Sequence, residues 1–522
     1  VSNVIESQVA IIDMGSNSIR LVINKIDANG CYNEIHNYKT VARLSAHITP
    51  EGYLSNNGII IILETLNRFK DVILFNKVQK VTVIATAAMR KAKNQNQIVQ
   101  FVKDKIGFDI RVLSEYEEAF YGYLAVVNST NIENGYTIDI GGGSTEVTLF
   151  ENRKLKHYHS FPFGAITLQQ QFFGDKQYNS ANLEVLKNYI KEQLHTLPWL
   201  KNNSSYPVIG IGGSARNLSL IHQRKTDYPL PVIHQYEFKT EELIEQNDML
   251  QHSTIEERLM MDGLSKDRAD IIIPASEVIS LFVTHVKAKT FMMSRKGLRD
   301  GVFYEELLRN METTRFPNVV EESLHQLSHN YEVNIKHVNH VSSLAIQLYN
   351  ELSSFCPVEH LAENARTLLN QSARVLYIGE YINSDASSQN TFYLLTNMTI
   401  EGLSHREQLA IAFISSFKSK TQLLKYAKPF SQIVEKKDLK YYEFLGSIMK
   451  LAYSLDRTRR KAILEIGHVE KTEDELTIPF YHQKETFFEN MQASKNKKHI
   501  ERAVKHPIAF RYIPVEVLKP KF

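Results

Sequence analysis

Cysteine is nearly absent from this chain: Cys31 and Cys356 are the only two in 522 residues. They lie far apart, and neither has a Cys or His partner at metal-ligand spacing, which excludes a disulfide framework and predicts a reducing compartment. An imbalance of charge is missing too. With 61 Lys and Arg against 58 Asp and Glu, the net charge of +3 is too small to mark a nucleic-acid-binding protein. Long apolar runs are also lacking: residues 59–63 are far too few to cross a bilayer, and the N-terminus shows no basic-then-apolar leader pattern. Together these absences predict a cytoplasmic protein that engages neither membrane nor nucleic acid. What is present is an ordinary globular composition, 43% hydrophobic and 23% charged. It is spread over more chain than one core supports, so roughly three or four domains are expected.

The most informative stretch is 136–150, where β-branched and aromatic residues flank Gly141, Gly142 and Gly143. It reads as strand, tight turn and strand, because glycine reaches backbone angles closed to other residues. Such a turn exposes a concave row of backbone N–H groups that suits a phosphate. Asp139 and Glu146 at its rims offer the oxygen ligands that a hard cation such as Mg2+ prefers. Residues 9–23 repeat the pattern, with Asp13 matching Asp139, Gly15 matching Gly141, Ser18 matching Ser144 and Arg20 in the place of Glu146. A duplicated turn predicts two similar α/β lobes whose turns face one cleft.

Between the repeats, residues 52–75 read as an amphipathic helix. Residues 80–90 read as a buried strand running into small residues and Arg90. Two readings fit Arg90: a guanidinium gripping phosphate through parallel hydrogen bonds, or a solvated Arg at a capped helix start. Residues 109–113 form a short expected strand, and Ser114 opens a helix whose first turn holds Glu115, Glu117 and Glu118. Acidic residues there ordinarily complement the helix dipole. If this helix start also lines the cleft, one carboxylate is placed to take a proton from water. Residues 180–197 read as a helix. In 208–218 a strand meets Gly212 and Gly213 at a helix start, which is either an anion site or a plain close-packed turn. The segments around Arg268 and Arg299 read as structural punctuation. A change of texture at Phe316-Pro317 leads into long helices through residue 466, followed by strand-like alternation at 476–480 and 508–517 around a basic segment.

With these motifs assembled, the first three hundred residues resemble the exopolyphosphatase and guanosine pentaphosphate phosphohydrolase (Ppx/GppA) family of the actin-like superfamily. Five ordered motifs carry the resemblance: residues 12–18, 85–90, 113–119, 138–146 and 210–218. One position departs, Glu115 standing where the family usually has Gly. The resemblance implies an α/β fold class of two actin-like (ribonuclease H-like) lobes with duplicated strand-turn-strand phosphate loops, spanning 1–122 and 123–314. An all-α HD-like domain (315–466) and a small α+β domain (467–522) would follow. It further implies Glu118 as the base that activates water, and Asp13, Asp139 and Glu146 as Mg2+ ligands. Ser16, Asn17, Ser18, Arg90, Gly141, Gly142, Gly143, Ser144 and Thr145 would cradle phosphate, with Gly212 and Gly213 as further contacts. In the helical domain, His340 and Asp456 stand where outer metal ligands of the HD fold would be. The intervening His-Asp pair is replaced by Leu376-Tyr377, so no second metal centre is expected.

The basic runs Arg457, Arg459, Arg460, Lys461 and Lys495, Lys497, Lys498, Arg502, Lys505 ordinarily mark solvated faces. Alternatively, Arg457 and Arg460 with their neighbours hold the distal part of a long polyanion. The leading expectation is an exopolyphosphatase that releases terminal phosphate from inorganic polyphosphate processively with Mg2+. Hydrolysis of the 5′ γ-phosphate of guanosine pentaphosphate needs the same cleft plus a guanosine pocket, and is the alternative. A non-catalytic polyphosphate or nucleotide sensor is the alternative of another class, opposed by acidic residues that would repel the phosphates they face. A homodimer is expected from the resemblance alone.

Overall fold

The two sequence repeats fold as matching hairpins at the centres of two sheets. The computed structural model describes residues 6–174, 180–201, 206–356 and 364–515. The chain divides into two compact units, Val1–Asp227 with Ile233–Val319, and Tyr228–Val232 with Val320–Phe522. In the first unit β1 (Ser7–Met14), β2 (Ser18–Ile26), β3 (Tyr32–Val41), β4 (Lys80–Ala85) and β5 (Ile110–Val112) form one sheet in the order β3-β2-β1-β4-β5. The second sheet contains β6 (Gly135–Ile140), β7 (Thr145–Glu151), β8 (Lys154–Phe161), β9 (Val208–Ile211), β10 (Glu237–Lys239) and β11 (Thr290–Met293), ordered β10-β11-β9-β6-β7-β8. Omitting β10, the orders superimpose strand for strand. Each has an antiparallel three-stranded meander continued by two parallel strands. Duplication is thus written in topology as well as in sequence.

Strand β1 is a near-continuous apolar run because it is central and covered on both faces. Its alternate residues feed different cores. Ile12 joins Leu21, Leu66, Phe69 and Val102 beneath the outer helices of the first sheet. Ile11 joins Ile84, Tyr121, Leu124, Ile209 and Tyr304, residues drawn from both sheets and from two helices, Glu115–Val127 and Leu298–Leu308. This shared core fixes the lobes against each other and holds the glutamate-bearing helix between them.

Several element boundaries differ from their sequence expectation for local reasons. The first long helix is Asn56–Phe75, started by the Ser55 side chain accepting from Gly58 N. Gly52, at φ +87°, belongs to the preceding turn. The strand expected at 80–90 ends at Ala85, and Ala87–Lys91 is a short helix. After Arg268 the chain enters helix Ile272–His285, which is buried on nearly every side and so shows no helical periodicity.

The second unit joins helices, from Val319–Asn330 through Lys436–Leu455, to a small sheet of β12 (Ile463–Ile466), β13 (Glu470–Lys471), β14 (Leu476–His482) and β15 (Ile508–Pro514), with helix Phe487–Val504. The expected strand at 508–517 ends at Pro514, and its residues 516–517 lie outside the described residues. One hydrophobic core runs through helices and sheet, including Leu344, Phe413, Leu445, Phe480 and Ile500. Among the described residues no helix is long and apolar enough to cross a membrane.

Gly301 sets how closely two helices approach, since a Cβ there would fall on the Tyr121 backbone. Gly301→Ala is expected to cost on the order of 1–3 kcal/mol through overpacking, read as a lower urea midpoint at unchanged m-value.

Candidate active site

The two hairpin turns share one construction. Gly15 N donates to Ser18 O and Gly141 N to Ser144 O, both at 3.0 Å. In each lobe the next segment binds the turn's carbonyls from behind. Ala42 N and Arg43 N reach Asn17 O at 3.0 and 2.9 Å, and Ser45 N reaches Ser16 O at 3.1 Å. In the second lobe Ala165 N donates to Gly141 O at 2.9 Å and Ile166 N to Gly142 O at 3.0 Å, at the start of helix Ala165–Phe172. Gly164 permits this seating, because a Cβ there would strike the backbone of 141–143. With carbonyls held at the rear, the N–H groups of Gly142 and Gly143 have no acceptor among the described residues. Ser16 lies against Gly142 and Gly143, and Lys91 Nζ donates to Gly143 O at 2.8 Å, so the loops of the two lobes meet.

An acidic cluster lies at these turns. Across β1 and β2, Asp13 is paired in register with Arg20, as Asp139 is with Glu146 across β6 and β7. Glu118 joins them from its helix. Its neighbour Glu117 has a structural task, closing a capping box with Ser114 and pairing with Arg111. Glu115 is exposed at the first helical position, and the helix begins with ordinary geometry despite the missing family glycine. Only Glu118 turns inward, where Arg90 Nη1 donates to its Oε2 at 2.9 Å and to Leu113 O at 2.8 Å.

These carboxyls feel burial and one another. Burial pushes Glu118 up to about 7 against the pull of Arg90, with Asp139 and Asp13 adding to the rise. Asp139 is raised to about 6, again chiefly by burial, with Arg268 opposing. Glu146 is held well above the ordinary carboxylate range by burial and then by Glu118 and Asp139, although Ser160 Oγ donates to it at 2.9 Å.

Two arginines taken in the sequence for punctuation belong to the site. Arg299 Nη1 donates to Asp13 Oδ2 at 2.8 Å, and Arg268 lies over Gly213, close enough to pull on Asp139. Lys91 was also missed. The available signal was position: Arg268 and Arg299 precede or open helices in the second α/β lobe, where open sheets place ligand-binding groups beyond strand ends.

Other candidates fall into different roles. Gly212, at φ +81°, and Gly213 make room: a Cβ at either would collide with the Asp139 carboxylate or the Arg268 guanidinium. Thr145 Oγ1 donates to Phe163 O at 2.8 Å and is fully buried, so its hydroxyl supports the turn. Arg457 and Arg460 belong to the second unit. Arg457 lies over the Tyr453 ring, whereas Arg460 pairs with buried Glu489 at 3.4 Å. Asp456 accepts from His337 at 2.8 Å and from Lys461 N at 2.8 Å, and His340 Nε2 contacts Ile463 O at 2.8 Å.

A family model described as the Ppx/GppA phosphatase family matches residues 22–310, more than half of the chain. The chain belongs to the Ppx/GppA phosphatase family. A model for Ppx/GppA phosphatase domain III matches residues 319–499 of this family member. It is 25% identical over 465 residues to the guanosine-5′-triphosphate,3′-diphosphate pyrophosphatase of Pseudoalteromonas translucida (strain TAC 125), covering 87% of this chain and 86% of that one. Among solved structures, the Aquifex aeolicus Ppx/GppA family member is similar at TM-score 0.53 and 26% identity, over 59% of this chain and 99% of that one. An exopolyphosphatase from Cytophaga hutchinsonii matches in fold at TM-score 0.53 and 22% identity, over 59% and 100%. The two sheets are the paired lobes of an actin-like α/β fold, with domain III beyond them.

The carboxylates suit a hard divalent cation. Asp13 Oδ1 is buried without a hydrogen-bond partner, and the raised Asp139, Glu146 and Glu118 carry like charge that a cation relieves. A carboxyl whose pKa is raised on folding contributes fully to stability below its unfolded value and loses that contribution as pH climbs through the folded value. For Glu118 this window runs from 4.5 to about 7. The site's contribution to the melting temperature is therefore expected to fall over that window without added metal. Mg2+ should raise the midpoint more at mildly alkaline than at mildly acidic pH, and Asp13→Asn should reduce that gain in a thermal melt.

Proposed function

We propose that this phosphatase-family chain is an exopolyphosphatase that hydrolyses the terminal phosphoanhydride of inorganic polyphosphate. The carrying observation is Glu118: an inward carboxyl raised to about 7, beside a turn whose Gly142 and Gly143 N–H groups have no acceptor among the described residues. A base with a pKa near the working pH combines a useful ionised fraction with a strong pull on a proton. Glu118 takes a proton from water, and the resulting hydroxide attacks the terminal phosphorus. The bridging P–O bond breaks, and the shortened chain leaves as an oxyanion. Gly142 and Gly143 N–H groups, with Ser16 and Ser144, hold the terminal phosphate in line. Arg90 keeps the Glu118 carboxylate oriented and retains further guanidinium N–H donors for substrate oxygens. Mg2+ held by Asp13, Asp139 and Glu146 would neutralise charge on the phosphate oxygens. Arg268, Arg299 and Lys91 add positive charge around the acids, which favours a substrate that is anionic along its length.

A second reading has its own support, because the Pseudoalteromonas relative named for guanosine pentaphosphate hydrolysis aligns over most of both chains. Phosphate release from polyphosphate and from guanosine pentaphosphate by the purified protein separates them: higher kcat/KM for polyphosphate is expected, and the reverse order establishes the second reading. Glu118→Gln is expected to lower kcat by roughly 10²- to 10⁴-fold with KM nearly unchanged. It should also remove the acid limb that protonation of Glu118 gives the wild-type pH profile. Unchanged turnover would remove Glu118 from this role.

A further inference from the structure

The second unit contains a cavity of about 330 Å³ that the hydrolytic site does not use. Its two ends differ in chemistry. At one, Lys450 lies half-buried, with Lys498, Lys418 and Lys495 close enough to reinforce the lowering that burial begins, to about 8. No carboxylate is among the groups acting on it. Its Nζ donates to Lys418 O at 2.6 Å and lies 3.3 Å from His499 Nε2. His499 is itself driven down to about 4 by burial and by Lys450, Lys498 and Arg502, so it is neutral at physiological pH. At the other end Glu380 accepts from Tyr453 OH at 3.2 Å, and Arg457 covers the Tyr453 ring at 5.2 Å. The Tyr377 ring packs against Tyr453 at 5.0 Å, and Asp385 and the amides of Gln422, Gln492 and Asn496 also line the cavity.

Like charges gathered around a half-buried ammonium destabilise the fold unless an anion joins them. A bare polyphosphate would satisfy the lysine end and be repelled by Glu380. A ligand with phosphate at one end and N–H or hydroxyl donors at the other satisfies both, and the volume is at the small end of ligand pockets. We infer that this cavity binds a nucleoside phosphate, its phosphate on Lys450 and Lys418 and its base and sugar toward Tyr453 and Glu380. The residues lining this cavity belong to the second unit, and the inference stands whether or not polyphosphate is the substrate.

GMP and AMP, which lack the anhydride that the catalytic turns would hydrolyse, are the probes, titrated calorimetrically into full-length Glu118→Gln protein beside inorganic tripolyphosphate. One-site binding of at least one nucleotide is expected, weakened about tenfold or more when a charge-assisted hydrogen bond is lost in Lys450→Gln. Lys418→Gln, at an exposed position, should weaken it as well without threatening the fold. Glu380→Gln should weaken the nucleotide and not tripolyphosphate. Absence of nucleotide binding overturns the inference, as does binding indifferent to both lysine variants or equal displacement by tripolyphosphate.

Discussion

Four carboxylates gathered at one place are the constraint around which the first unit is built. Asp13, Asp139, Glu146 and Glu118 come from both sheets and an intervening helix, and the last three would be cheaper to fold if they were solvated. They persist because the scaffold over-determines them. Arg90 and Arg299 bind two of them directly, Arg268 pulls on a third, and the shared core of Ile11, Tyr121 and Ile209 leaves the lobes little room to relax apart. Stability is thereby sacrificed to hold these acidic groups together.

The turns solve the complementary problem of presenting donors to an anion. A tight loop has carbonyls as well as N–H groups, and unless the carbonyls are held away the loop is not selective for negative charge. Both lobes hold them in the same way: the segment after each meander binds them from behind, through Ala42 to Ser45 in one lobe and Ala165 and Ile166 in the other. Gly164 has no freedom to carry a side chain because of that seating. The glycine that matters is therefore partly the one outside the motif.

Domain III combines a continuous apolar core with polar groups that serve structure. Asp456 is enclosed by His337 and the Lys461 N–H, and His340 is tied to the Ile463 carbonyl. Part of the basic character is likewise absorbed, Arg460 being paired with Glu489. Lys450, by contrast, has no ion pair among the described residues, and it borders a cavity.

The sequence alone determined the duplicated turns, the acids at their rims and the family, because glycine and aspartate at fixed offsets are local requirements of such a turn and survive as spacing. The resemblance to the family, and not the pattern, singled out Glu118, since nothing in the spacing separates it from Glu115 and Glu117. The tertiary structure shows what distinguishes them: only Glu118 of the three turns inward, Glu117 being engaged by Ser114 and Arg111. It also decided the roles of Arg268, Arg299 and Lys91, whose side chains reach the acids or the turn from far along the chain, and of Gly301, whose contact is the backbone of another helix. Short-range chemistry leaves a mark on residue spacing; convergence of distant side chains does not, since it depends on sheet order and helix approach.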